Sequence, residues 1–265
     1  TEVVEFVDWL RHHNLTRPPE GRVGFYGVDL YSLRSSMEAV VDYLSSVDPA
    51  AAAQARLRYG CFDHVRGEGP EYGHAVALDL MVPCEDEVVA QLVDLRHRSH
   101  ELLSRDGWAA RDEFFVAERN AQLVHDAERY YRAMYRGRIS SWNLRDRHMA
   151  DTVDALLAHL SSRDGDAKLV IWAHNSHVGD ARATELGAHG ELTIGQLVRD
   201  RWHGDALLVG FTTHTGTVTA ASEWGGPSER KRVRPAMAGS WEDALHGVPH
   251  DRFLLPLVDA PEWRD

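Results

Sequence analysis

The sequence predicts an α/β fold: a partly parallel sheet with helices on both faces and helical insertions. Three observations lead there. Short apolar runs at 22–27, 168–173 and 206–212 have the length of strands. Stretches with apolar residues at helical spacing separate them. Strand and helix therefore alternate along the chain, the order that a parallel sheet with crossover helices requires.

Taken in order, Val3, Val4, Phe6, Val7 and Leu10 recur at helical spacing and predict an opening helix. The chain begins at Thr1 already inside this pattern, as expected of a piece of a longer protein. Pro18-Pro19-Glu20-Gly21 breaks the helix, and Arg22-Val23-Gly24-Phe25-Tyr26-Gly27 follows as a short strand ending at Gly27-Val28-Asp29. Helical spacing returns over 34–46 through Met37, Val40, Val41, Tyr43 and Leu44. Residues 50–110, rich in Ala and charge with glycines at Gly67, Gly69 and Gly73, predict a helical insertion around one polar loop. A long helix is expected over 114–135. Trp142-Asn143-Leu144-Arg145-Asp146 leads into another, with Met149, Val153, Leu156, Leu157 and Leu160 on one face.

The run Lys168-Leu169-Val170-Ile171-Trp172-Ala173 reads as a buried strand covered on both faces. A helix over about 193–201, a strand at 206–212, a polar Gly-rich segment over 213–228 and a last strand at Phe253-Leu254-Leu255 complete the order. The whole, 1–265, reads as a single domain.

Composition narrows the partners. Asp plus Glu number 41 against 29 Lys plus Arg, and the net charge of −12 gives no electrostatic basis for binding nucleic acid or anionic lipid. A small neutral or cationic molecule is easier to accommodate. No apolar stretch approaches the roughly 20 residues that span a bilayer, and the first residues lack the form of a signal peptide. Cys61 and Cys84 show no Cys-x-x-Cys pattern, so neither a disulfide framework nor a zinc cluster is signalled. The expected location is a reducing cytoplasm.

In open α/β sheets ligands bind beyond the carboxyl ends of the strands. The residues there are Asp29 after the first strand, His174 and His177 after the second, and Thr212, Thr213 and His214 after the third. Imidazole titrates near neutrality, so His174 and His177 can move protons or bind metal; alternatively they tie the loop down through backbone bonds. A metal role needs a third ligand, which no His-Glu-x-x-His helix or cysteine set supplies, so no metal and no cofactor are expected. Asp29 fits a histidine partner, a substrate hydroxyl or a plain turn. Asn143 or Asp146 reads as a helix cap and Arg145 as a surface ion pair. Glu118, Asn120 and Gln122 lie on a helix, mostly as a solvated face, although Glu118 and Gln122 are one turn apart and can point at one pocket. His214 sits in a hydroxyl-rich turn that needs no ligand to explain it, though it could bind one. The absence of a Gly-x-Ser-x-Gly elbow, a phosphate-binding loop and a GxGxxG after a strand argues against serine hydrolases, P-loop enzymes and dinucleotide enzymes.

Four blocks then stand out together: Phe25-Tyr26-Gly27-Val28-Asp29, Glu118-Arg119-Asn120-Ala121, Ser141-Trp142-Asn143-Leu144-Arg145-Asp146-Arg147-His148-Met149-Ala150, and Trp172-Ala173-His174-Asn175-Ser176-His177. In this order they resemble the erythromycin esterase family, whose characterised members hydrolyse the macrolactone ester of erythromycin and related antibiotics without a required metal. The resemblance implies that His174 and His177 are the active-site histidines. It also implies that Asp29, Glu118, Asn120, Asn143, Arg145, Asp146 and His214 are substrate-binding candidates. Family members carry a Gly-Glu-x-x-His-Gly type segment whose histidine is the general base, and this sequence has no counterpart. The resemblance thus implies that the base and the first strand lie outside these residues, and that this chain alone is inert. The expected function is histidine-assisted attack of water on a small-molecule ester or lactone. A catalytically incomplete small-molecule-binding domain and a metal-assisted hydrolase are the alternatives; oligomeric state is not specified.

Overall fold

A computed structural model of the chain describes residues 2–18, 21–64, 69–106, 108–223, 226–250 and 252–257. Gly67, expected in the polar loop, and Pro19 and Glu20 of the first break lie outside them. The chain forms two compact units, 1–209 and 210–265.

The first unit is helical: α1 (Glu2–Leu15), α2 (Leu33–Val47), α3 (Pro49–Tyr59), α4 (Gly69–Ala77), α5 (Glu85–His97), α6 (Ser99–Asp106), α7 (Trp108–Met134), α8 (Arg138–Asp164), α9 (Asn175–Val178), α10 (Glu185–Ala188) and α11 (Ile194–Trp202). Its centre is α7, against which α2, α4, α5, α6 and α8 pack. The sequence allows this because Ala117, Ala121, Val124 and Ala127, all buried at helical spacing, keep the α7 surface low. At Gly73 the backbones approach closely: a Cβ there would collide with the backbone carbonyl of Tyr131, so α4 needs glycine at that point. Asp48 starts α3 by accepting from the amides of Ala50 and Ala51 at 3.0 and 3.1 Å, with Pro49 at the first helical position.

One buried polar network of this core is centred on Tyr72 and Glu128. The Tyr72 hydroxyl donates to Glu128 Oε1 at 2.6 Å and accepts from the Cys84 amide at 2.8 Å, while Arg132 Nε lies 2.7 Å from Glu128. Cys61 and Cys84, whose Cα atoms are 5.9 Å apart, form a disulfide. The sequence carried no signal of this disulfide. Spacing in sequence says nothing about pairs that folding brings together, and the case from the cysteines for a reducing cytoplasm falls with it.

The helices stand where helical spacing placed them, but the sheet does not. Among the described residues the only sheet is an antiparallel hairpin of the second unit, β1 (Gly216–Ala220) with β2 (Glu229–Val233), in register from Gly216 opposite Val233 to Ala220 opposite Glu229. The expected partly parallel sheet is not formed among the described residues. The segments 22–27, 168–173, 206–212 and 253–255 are not paired as strands. Alternation of side chains reports which face a segment buries, whereas a strand also needs a neighbour for its N–H and C=O groups. Leu169 and Ile171 pack on Met149, Val153 and Ile194, but Val170 is 97% and Trp172 71% exposed. That run is therefore covered on one face, not both. The second unit also holds α12 (Trp241–His246). No helix among the described residues is long and apolar enough to cross a membrane.

Replacing Tyr72 by Phe should leave the Cys84 amide without its acceptor and Glu128 without one donor, lowering unfolding stability by about 1–3 kcal/mol in denaturant titration. A change below about 0.5 kcal/mol would contradict the burial of this network.

Candidate active site

Helix α8 begins at Arg138, so Trp142, Asn143, Arg145 and Asp146 lie inside it and none of them caps it, as the sequence had suggested. Trp142, Arg145, Asp146, Met149 and Val153 share one stripe at helical spacing. The C-terminal half of the stripe, Met149 and Val153, packs with Ile194 of α11. Its N-terminal half presents a ring and two charges to the loops around them.

Asp146 is wholly buried. Its carboxylate lies 3.0 Å, through each oxygen, from Nδ1 of His177, and Oδ1 also accepts from the Ile194 amide at 2.8 Å. His177 is itself 8% exposed, and its ring lies flat on Trp142, centroids 4.7 Å apart and planes 6° off parallel. Trp142 in turn is fixed by donating Nε1–H to the Leu192 carbonyl at 2.7 Å. A Cβ on Gly195 would strike the Val178 carbonyl, which is how the start of α11 can lie against the end of α9. The ring is thus held on one face and at Nδ1, and its Nε2 has no hydrogen-bond partner among the described residues.

His174 does a different job. It is the N-cap of α9, its Nδ1 accepting from the Ser176 amide at 3.2 Å, and its ring is exposed. Arg145, one residue before Asp146, points to another neighbour. It grips Asp29 with two bonds, Nε to Oδ1 at 2.9 Å and Nη2 to Oδ2 at 2.6 Å, and lies 4.7 Å over the ring of Tyr31. Burial alone would raise the Asp29 pKa, but the Arg145 bond and charge, helped by the Leu30 amide and the charge of His177, hold it below the ordinary carboxylate value. The Tyr31 and Tyr130 hydroxyls are 2.9 Å apart, and burial with this bond pushes the Tyr130 phenol up.

The other sequence-derived candidates are not all gathered here. Asn143 donates to the Gly190 carbonyl at 2.9 Å and accepts from the Leu192 amide at 2.7 Å, clipping that loop to α8. Glu118 and Gln122, one turn apart on α7, do converge, on the guanidinium of Arg96 at 2.7 and 2.9 Å. Asn120 bonds its own helix at the Val116 carbonyl. His214 belongs to the second unit, where it stacks on His246 at 3.9 Å and lies 3.8 Å from Asp243. Sequence reasoning gave no role to Trp142, Tyr31 or the Asp126 cluster. Asp126 receives His125 and His148 at 2.8 Å each. Burial opposes its charge, yet these bonds and the His148 charge hold its pKa far below the usual range. Two histidines at the spacing of α7 and α8 faces were the available signal. Among the described residues no three His, Cys, Asp or Glu side chains converge as a metal-binding set.

Residues 1–265 match the family profile described as erythromycin esterase. The chain belongs to the erythromycin esterase family. Two solved structures share its fold. One is a succinoglycan biosynthesis protein, 20% identical with a TM-score of 0.68, matched over 94% of this chain and 57% of its own. The other is a Bacillus cereus protein, 15% identical with a TM-score of 0.69, matched over 95% and 58%. The chain thus spans less than two thirds of either. The two dense blocks of the sequence, 141–150 and 172–177, meet at the Asp146–His177 contact.

The Asp29 pair has a pH signature. Because its folded-state pKa is depressed, its contribution is complete above the ordinary carboxylate range and is lost as pH falls through the lowered value. The difference in melting temperature between the native protein and Asp29→Asn should therefore be constant from about pH 7 to 5 and shrink below about pH 4. A difference that grows on acidification would contradict the ion pair.

Proposed function

We propose that this chain carries the histidine half of the active site of a hydrolase that cleaves a carboxylic ester or macrolactone with water. The observation that carries the reading is the buried Asp146 carboxylate at Nδ1 of His177. A carboxylate in that position keeps the proton on Nδ1 and aims Nε2 outward as the reacting nitrogen, and it stabilises the charge that develops when the ring holds two protons. Water attacks the ester carbonyl as a base takes its proton. The carbon–oxygen bond then breaks while His177, entering the step as the doubly protonated ring, gives its Nε2 proton to the departing alkoxide, leaving an acid and an alcohol. The proton taken up by the base returns to Nε2 to restore the starting state. The resemblance to the family assigns the base to a second histidine outside these residues.

A cleft of about 760 Å³ lined by Gly137, Arg138, Ile139, Ser140, His189 and Glu191 opens one turn along α8 from Trp142. It offers room for a bulky acyl or alkoxy portion. The net charge of −12 suits a substrate bearing a protonated amine, as a macrolide amino sugar does. Asp29 and Arg145, which pair with each other, are the charged groups that would hold a substrate hydroxyl or carbonyl.

In the intact protein, His177→Ala should lower kcat/KM for a cleaved ester by about 10²–10⁴-fold, and Asp146→Asn should also lower it by leaving the ring unoriented. His174→Ala should cost less, since it removes an exposed cap. Hydrolysis assays on a panel of esters and lactones read this directly, and near-normal turnover in His177→Ala would sink the assignment.

A further inference from the structure

The cleft at the start of α8 contains a carboxylate that its neighbours leave half satisfied. Glu191 is 1% exposed, and its Oε1 accepts from Nη2 of Arg138 at 2.6 Å. Its Oε2 is equally buried and has no hydrogen-bond partner among the described residues. Both residues line the cleft. A buried carboxylate oxygen without a donor is costly, so a ligand group that donates to Oε2 is held strongly.

The two partners are anchored differently. Glu191 lies in the loop between α10 and α11, which α8 clips down: the Asn143 side chain donates to the Gly190 carbonyl on one side of it and accepts from the Leu192 amide on the other. Its own amide donates to the Leu186 carbonyl at 2.9 Å. The carboxylate is therefore fixed. Arg138 is the first residue of α8 and its side chain is 75% exposed, so it can change rotamer quickly and admit a ligand to Oε2.

This carboxylate also has a defined relation to the reacting ring. Trp142, one turn beyond Arg138, donates to the carbonyl of Leu192, the residue after Glu191, and carries the His177 ring on its face at 4.7 Å. One helical turn and one stacked ring place Glu191 on the order of 10 Å from His177. A group bound there belongs to a part of the substrate remote from the bond that breaks, where contacts decide which substrate is accepted.

Charge selects the kind of donor. The Arg138 guanidinium already offsets the carboxylate, and a second cation at Oε2 would be repelled by it. A neutral hydroxyl meets no such repulsion, and Gly137 and Ile139 in the same lining suit apolar carbon around it. We propose that the cleft is a specificity subsite in which Glu191 Oε2 accepts a hydrogen bond from a substrate hydroxyl carried on an otherwise apolar acyl or alkoxy portion. An amine drawn in by the overall charge belongs to another part of the substrate. The proposal rests on the hydrolase reading for the reaction that the subsite serves, but its binding is measured without turnover.

Amide and lactam analogues of candidate esters and lactones resist hydrolysis and serve as probes. Each is made in three forms that carry a hydroxyl, a methoxy or an ammonium group on the portion away from the acyl bond, and calorimetry on the intact protein measures their affinities. The hydroxyl form should bind about tenfold to a hundredfold more tightly than the methoxy form. Glu191→Leu, which removes the acceptor, should make the two bind alike. Glu191→Gln should do the same, because its carbonyl can keep Arg138 while its amide group donates to either form. If Glu191→Leu does not fold, Glu191→Gln carries the comparison. Equal binding of the two forms by the native protein, tighter binding of the ammonium form, or no binding of any probe would overturn the proposal. A preference that survives in the folded Glu191 variants would overturn it as well. Loss of ester hydrolysis in His177 variants bears on the reaction alone, so the two readings can fail separately.

Discussion

A carboxylate with no access to water must receive hydrogen bonds from the chain around it, or its burial costs several kcal/mol. Asp146 receives them from the His177 ring and the Ile194 amide. Those two bonds join the middle of α8 to α9 and to the first turn of α11. The loop between them is held by its own set, Trp142 to Leu192 and Asn143 to Gly190 and Leu192. Everything positioned around His177 therefore refers back to one helix, and the ring inherits the rigidity of a long α8 packed on α7.

Three neighbouring residues of α8 reach three partners because each helical step turns the side chain by about 100°. Arg145 faces the 29–31 loop, Asp146 faces His177, and His148 faces Asp126 of α7. Each charge meets an opposite or titratable group, and each pair is at least partly withdrawn from solvent. The helix thus acts as a hub that gathers the loop after one extended segment, the loop after another, and the helical layer behind them.

The sequence made the helices legible because their apolar residues recur at a period that the structure uses: Ala117, Ala121, Val124 and Ala127 on α7, Met149 and Val153 on α8. His177 was legible as a residue following an apolar run. Asp146 was not, since its partner is 31 positions away and a carboxylate near a supposed helix start reads as a cap. The hairpin of β1 and β2 went unread because Thr217, Val218 and Thr219 and the charges of 229–232 are largely solvated, which erases the alternation that marks a strand. The opposite error occurred at 168–173, where a continuous apolar run is present and no pairing partner among the described residues is. Cys61 and Cys84 illustrate the same limit, since 23 positions of sequence separate atoms that folding joins.

The orientation of the His177 ring is the claim on which the catalytic reading turns. Long-range proton–nitrogen correlation in nitrogen-15-labelled intact protein distinguishes the imidazole tautomers. The neutral His177 ring should carry its proton on Nδ1, facing Asp146, with Nε2 bare, and Asp146→Asn should shift population toward the Nε2–H form. A native His177 protonated on Nε2, or one indifferent to Asp146→Asn, would contradict the account.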